Sequence, residues 1–295
     1  MTDGRPPVPM RVGEEIVPTY AFPENAARAL AKIVTYARWR AQPPGLLWAF
    51  DDVDAAAARS ICRRALAEQG DGWLTTEDTR AVLRAFGFPL AAGAIARTAD
   101  EAANQAERLG FPVAAKLASR QVVHKSDIGA VRLNLHTADD VRAAFQAIQA
   151  CAPAPASGRD KRDGVLIQPM VTDAVETIVG VATDPLFGPL VGFGPGGTQV
   201  ELLADVRFRI APLTDRDADE LVHEGRVARA LGGYRGHPAG DIEAVKDVVL
   251  RASRLAETLP EITELDLNPV MARPPGQGCC IVDARIRVAK AEPHT

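Results

Sequence analysis

Residues 109–135 read LGFPVAAKLASRQVVHKSDIGAVRLNL. A glycine closes one helix at residue 110, and an apolar run, PVAAKLAS, follows. The polar stretch HKSD comes next, and then a second alternating run, AVRLNL. Two short strands flanking a polar connection, with a helix on either side, predict an α+β unit.

The same alternation extends in both directions. Upstream, Thr75 and Asp78 stand at capping-box spacing ahead of Val82, Leu83 and Phe86, which predicts a helix start. AGAIARTA reads as a short strand, ADEAANQAERLG as a helix ended by Gly110, and ADDVRAAFQAIQA as the helix after the second run. Downstream of the turn-rich CAPAPASGRDKRDG, residues 151–164, strands dominate: GVLIQPMV, VETIVGVAT, PLVGFG and VRFRIAPL. Two helices, DRDADELVHEGRVARAL and DIEAVKDVVLRASRLAETL, precede a strand pair, ITELDLNPVMA and CCIVDARIRV, joined by RPPGQG. At the other end, IVPTYAFPENAARALAKIVTYARWR reads as a strand, a turn at Pro23 and a helix with Ala27, Leu30, Ile33, Val34 and Ala37 on one face. One strand and one helix make no core alone, so this piece must dock on the rest of the chain or on a missing domain. The expected division is an N-terminal extension over 1–50, a first α+β subdomain over 51–162 and a second over 163–290.

Composition narrows the partners. The chain has 295 residues, is 47% hydrophobic and 24% charged, and carries a formal net charge of −4. No cluster of basic residues interleaved with aromatics points to nucleic acid. No apolar run approaches membrane-spanning length and no leader pattern opens the chain, so a cytoplasmic location is expected. Cys62, Cys151, Cys279 and Cys280 fall at no metal-ligand spacing.

Chemistry-bearing residues stand out against this background. GFGPGG at 192–197 matches a dinucleotide pattern in spacing, but the residues after it read as extended rather than helical, which that pattern does not allow. A P-loop motif is absent. Lys116 lies within small and apolar residues, where an ammonium either faces an anion or snorkels to water. Glu176 opens an apolar strand, as a ribose acceptor or as a solvated edge residue. Asp266 and Asn268 alternate along one strand with Asp283 on its partner. Two carboxylates and an amide oxygen suit Mg²⁺, although Asp-x-Asn is also common at plain turns. His124 is either a polar loop residue or a phosphoryl acceptor, with Asp127 to hold its tautomer and Lys125 to offset phosphate charge.

Taken in order, the blocks FPENAARALAKIVTYARWR, LGFPVAAKLASRQVVHKSDIGAVRLNL, GVLIQPMV, VETIVGVATDPLFGPLVGFGPGG, VELLADVRFRIAPL and ELDLNPV resemble the NDP-forming (ADP-forming) acyl-CoA synthetases. More distantly they resemble the β subunit of succinyl-CoA synthetase. From Trp73 to Val288 the resemblance is to the ATP-grasp portion, in which two α+β subdomains clamp ATP. From Val17 to Gly45 it is to the last elements of the ligase region.

This resemblance implies a reversible acid–thiol ligation: acyl-CoA, ADP and phosphate on one side, carboxylate, CoA and ATP on the other, through phosphohistidine. It implies ATP or ADP and Mg²⁺ as cofactors. Lys116 would contact phosphates, the backbone of Gln168, Pro169 and Met170 would hold adenine at the hinge, and Glu176 would take ribose. Asn268 and Asp283, with Asp266, would coordinate Mg²⁺. His124 would be the phosphohistidine on a loop supported by Lys125, Ser126 and Asp127, with Gly196 and Gly197 forming the Gly-rich turn. Two positions depart from the family: Ala130 replaces a second glycine after HKSD, and Pro195 replaces a leucine. A CoA-binding domain and a further ligase domain are not in 295 residues, so a partner supplying them is expected. Two other readings stay open: a regulatory ATP-binding module lacking that partner, and a stand-alone ATP-grasp carboxylate–amine ligase.

Overall fold

The computed structural model describes residues 8–120, 128–152, 164–197, 205–233 and 238–290. His124, Lys125, Ser126 and Asp127 lie outside the described residues. The chain divides into two compact units, Met1–Gly45 and Leu46–Thr295.

In the first unit, β1 (Met10–Val12) and β2 (Glu15–Val17) form an antiparallel hairpin. Helix α1 (Pro23–Ala41) starts with proline at its first turn and Glu24 beside it, and ends with Arg38 and Arg40. Those charges complement the helix dipole. None of its residues is buried, and the apolar stripe expected for it, including Leu30, Ile33 and Val34, stands exposed.

The second unit holds two sheets. The larger runs in the order β10 (Arg207–Ile210), β9 (Gly188–Pro195), β8 (Val175–Asp184), β11 (Ile262–Ala272), β13 (Ala284–Val288), β3 (Gly72–Trp73), with β12 (Cys279–Ile281) beside β11. Alternate residues Val179, Val181, Val191, Phe193, Leu265 and Leu267 face one side. They pack there with α2 (Ala55–Gln69), α3 (Thr76–Ala85), α6 (Asp215–His223) and α8 (Ile242–Thr258). The smaller sheet runs β4 (Ala94–Ala96), β7 (Val165–Pro169), β5 (Val113–Leu117), β6 (Val131–Leu135), antiparallel throughout. Val113, Ala115, Leu117, Val165 and Ile167 pack against α4 (Ala99–Leu109) and α5 (Ala138–Cys151).

Helix starts follow a repeated device. Thr75 Oγ1 accepts the Asp78 N–H at 3.0 Å, as the spacing predicted. Thr98, Thr137 and Thr214 cap α4, α5 and α6 in the same way, each cap contributing about 1 kcal/mol.

Three features differ from the linear reading. First, β7 lies in the middle of the small sheet, while α2, α3 and β3 belong to the large sheet and its core. Sheet membership therefore does not follow the expected division at 162/163, because strand pairing ignores chain order. Second, the helix expected over 215–231 breaks into α6 and α7 (Val227–Leu231). Gly225 adopts φ +76° there, and the Asp205 carboxylate takes the Arg226 N–H at 2.6 Å. Third, β6 begins at Val131, one residue later than the AVRLNL reading: Ala130 precedes it, fully buried in the small-sheet core, and its carbonyl accepts the Leu117 N–H at 2.9 Å.

Candidate functional site: facing sheet surfaces and a buried lysine

Side-chain parity aims the expected ligands. On β5, Val113, Ala115 and Leu117 face the helices, so Ala114 and Lys116 leave the opposite face. On β7, Val165 and Ile167 face the helices, so Leu166 and Gln168 share that opposite face, paired with Lys116 and Ala114 respectively. The larger sheet has a matching face turned away from its helix-packed side. Glu176, Met271 and Cys280 lie on one row of it, and Asp266 pairs with Gly180 further along.

Lys116 ties the two together. Its side chain is buried, and Nζ donates to the Val282 carbonyl oxygen at 3.0 Å, one residue before Asp283. The buried ammonium is thus held on a backbone carbonyl of the larger sheet.

The Gly-rich turn closes the acidic corner. Gly196 N–H donates to the Glu176 carbonyl at 2.9 Å, and Gly197 N–H donates to Asn268 Oδ1 at 2.9 Å. Gly197 has φ +66°, and a Cβ there would strike the Glu176 carboxylate. Asn268 N–H in turn donates to the Asp283 carbonyl at 3.2 Å, where β11 breaks register between Leu267 and Val270. Glu176, Gly196, Gly197, Asn268 and Asp283 therefore meet at one corner. Asp283 Oδ1 accepts the Ala284 N–H at 3.1 Å.

Among the described residues no group of three or more His, Cys, Asp or Glu side chains gathers as a metal cluster. The candidate set is instead Asp266, Asn268 and Asp283, all oxygen donors. The Asn268 carbonyl oxygen has two acceptor directions, and one is taken by Gly197. That arrangement fits a hard cation that keeps part of its water.

At the end of β7 the expected base hinge has two backbone peculiarities. Pro169 has no N–H, and Met170 N–H donates to the Pro112 carbonyl at 3.0 Å. Gln168 is fully buried, yet neither polar atom of its amide has a partner among the described residues. Leaving such a group unpaired costs about 1–3 kcal/mol.

Sequence reasoning did not single out Arg80 or Gly93. Arg80 is buried at the start of the apolar face of α3 and donates to the Ala91 carbonyl at 2.8 Å; burial pushes its pKa down. Its second contact, to Gly93 O, is 3.5 Å. Ala91 N–H donates to the Ile281 carbonyl at 2.9 Å, and Ile281 N–H to Pro89 O at 2.8 Å, so residues 89–91 run along β12 before entering β4. A Cβ at Gly93 would strike the Ile167 carbonyl. The one signal for these residues was the glycine inside the AGAIARTA stretch, and nothing local marked Arg80.

Two facing sheets joined by a buried lysine, with carboxylates and a Gly-rich turn on one of them, define an ATP-grasp domain, and the family model described as "ATP-grasp domain" matches residues 64–288. The β subunit of acetate–CoA ligase (ADP-forming) II from Pyrococcus furiosus is 41% identical over 224 residues, 74% of this chain and 92% of that subunit. The chain belongs to this family of ADP-forming acyl-CoA synthetases, as its ATP-grasp, β-subunit-like portion. A 4-hydroxybutyrate–CoA ligase (ADP-forming) from Nitrosopumilus maritimus is 37% identical over 270 residues, 92% of this chain but 38% of that ligase, so the chain spans well under half of such longer relatives. Among solved structures, a dinucleotide-forming acetyl-coenzyme A synthetase 1 of Ca. Korarchaeum cryptofilum matches with TM-score 0.66 and 38% identity, over 78% of this chain and 99% of that one. It was solved with coenzyme A and Mg-AMPPCP, its phosphohistidine segment pointing towards the nucleotide-binding site.

Proposed function

We propose that the chain is the nucleotide-binding subunit or domain of an ADP-forming acyl-CoA synthetase. It interconverts acyl-CoA, ADP and phosphate with carboxylate, CoA and ATP, with His124 as the phosphoryl carrier. The observation that carries this reading is the Lys116–Val282 contact, which sets a buried cation beside Asp283, next to the corner where Glu176, Gly197 and Asn268 meet.

The roles follow from charge. Lys116 offsets phosphate oxygens in a place where water is scarce. Glu176 accepts ribose hydroxyls, and the Gly196–Gly197 turn holds it in place. Asp266, Asn268 and Asp283 hold Mg²⁺, which neutralises charge on the phosphates when bound. His124 supplies a neutral imidazole: its lone pair forms the N–P bond, the bond from the γ-phosphorus to the bridging oxygen breaks, and ADP leaves with that electron pair. Of its sequence neighbours Lys125, Ser126 and Asp127, Lys125 offsets phosphate charge and Asp127 holds the imidazole tautomer.

Acyl and CoA chemistry require a CoA-binding and ligase partner, fused or separate, since the longer relatives carry much more chain. A cytoplasmic setting matches four free thiols and the absence, among the described residues, of a helix long and apolar enough to cross a membrane. Neither a membrane nor a nucleic acid has a role in this reading.

The test is incubation with Mg²⁺ and γ-labelled ATP. Acid-labile label on the wild type that disappears in His124→Ala supports the proposal. An unlabelled wild type, or label that persists in the variant, refutes it.

A further inference from the structure

The outer strands of the larger sheet end in an exposed apolar surface. Val191 and Phe193 of β9 turn to the helices, so Leu190 with its cross-strand partner Ile210, and Gly192 with Phe208, turn the other way. Phe208 lies over Gly192, where a Cβ would come 2.7 Å from its ring. At the same end, the β8–β9 turn presents Leu186 and Phe187, whose N–H groups donate to Asp184 Oδ1 at 2.8 and 3.0 Å. Past Ile210 the chain runs beside Pro189, whose carbonyl accepts the Ala211 N–H at 2.9 Å, and then reaches Thr214 and Asp215. Leu46 is fastened there: its N–H donates to Asp215 Oδ1 at 2.7 Å, and its carbonyl accepts the Asp215 N–H at 2.9 Å. Leu47 bridges Thr214 beside it.

Leu46, Leu47, Leu186, Phe187, Phe208 and Ile210 are each between 52% and 88% exposed. Side chains of this size present on the order of 800 Å² together, more than one soluble chain usually leaves in a single patch and about the share one partner gives to a stable complex. Hydrogen bonds already fix the turn and the Leu46 segment, so little ordering opposes docking. The nearest cations of β10 are engaged, Arg207 with Asp205 at 2.9 Å and Arg209 with Glu224. An apolar protein face therefore fits this surface better than an anionic one.

We infer that this surface docks the CoA-binding and ligase partner. This rests on the acyl-CoA synthetase reading above and gives that partner a place on the chain. Two observations select the occupant. The Pyrococcus furiosus relative, nearly all of which this chain matches, is a subunit of a larger enzyme. The match to the Nitrosopumilus maritimus ligase covers 92% of this chain, too much to begin after Leu46. One polypeptide there runs through the rim of the patch, in a ligase of which the matched part is only 38%.

The test titrates the full chain with the companion subunit of the Pyrococcus furiosus enzyme, and reads sedimentation, MgATP affinity and melting temperature alongside. Phe187→Asp and Ile210→Asp are compared with Leu133→Asp, which charges an equally exposed apolar position on β6 of the small sheet. Wild type and Leu133→Asp should form the complex. Phe187→Asp and Ile210→Asp should each weaken it by about tenfold or more, with MgATP affinity and melting temperature held. Equal affinity in all four proteins overturns the inference, as does a wild type that binds MgATP but no companion subunit. A wild-type dimer that Phe187→Asp and Ile210→Asp split assigns the surface to a second copy and overturns it too. A wild type that takes the companion subunit but no MgATP strikes the nucleotide reading and leaves the docking surface standing.

Discussion

Lys116 and Val282 are 166 positions apart in the chain and are joined by a 3.0 Å hydrogen bond from ammonium to carbonyl oxygen. The contact bridges the two sheets and places the cation one residue from Asp283. The ammonium is buried, so an anion arriving nearby meets a charge that is already desolvated.

Lys116→Met should therefore weaken MgATP binding by about tenfold or more, the scale of one lost charge-assisted contact. Its methylene stem is replaced by one of similar length, so the melting temperature should move by only a few degrees. Titration calorimetry with a parallel thermal melt checks both, and unchanged affinity would remove Lys116 from the site.

Gly197→Ala should cost about 1 kcal/mol or more in stability, and should also weaken nucleotide binding, because the new methyl strikes the Glu176 carboxylate at φ +66°. Gly110→Ala is the matched control, with φ +84° and open space around it. Equal nucleotide affinity in the two variants would show that only backbone strain matters at residue 197.

Asp241 gathers three backbone N–H groups: Ala244 at 3.2 Å, Gly276 at 2.9 Å and Gly278 at 2.9 Å. It caps α8 and pins the β11–β12 loop with one carboxylate. Asp241→Ala should lower unfolding free energy by about 1–3 kcal/mol, read from the urea midpoint. Asp241→Asn, which keeps one acceptor oxygen, should recover part of it.

Alkaline pH should destabilise the protein through two thiols. Burial pushes Cys62 and Cys279 up to about 12, against an ordinary value of 9.0 that applies once the chain unfolds. Their stabilising contribution is intact below pH 9 and is lost as pH climbs from there towards 12, since only the unfolded thiols ionise in that window. Each adds a slope of about 1.4 kcal/mol per pH unit. Urea midpoints at pH 7.5, 9.5 and 10.5 should fall less steeply in a Cys62→Ala/Cys279→Ala variant than in wild type.

Much of the local structure was legible from residue order. Thr75 capped its helix as the spacing required, the Gly110 stop ended α4, and ITELDLNPVMA with CCIVDARIRV formed adjacent antiparallel strands. Lys116, Glu176, Asn268 and Asp283 were legible as candidates, because charged or amide groups interrupt apolar strands only at a cost that some partner must offset. The Gln168 amide was less so: it was expected to act through its backbone, and its burial with two open polar atoms shows only in three dimensions.

Residue order alone set many of the strands and helices, several of their ends and the apolar faces, since period, caps and glycines act within a few residues. Helix α2, the β1–β2 hairpin and the break between α6 and α7 were not read from it. The tertiary structure decided the rest. It placed β7 inside the small sheet, ran residues 89–91 along β12 with Arg80 holding Ala91, and brought Lys116 to Val282. Those contacts join segments far apart in the chain, where no local periodicity specifies the partner and only the joint packing of two cores against shared strands selects it.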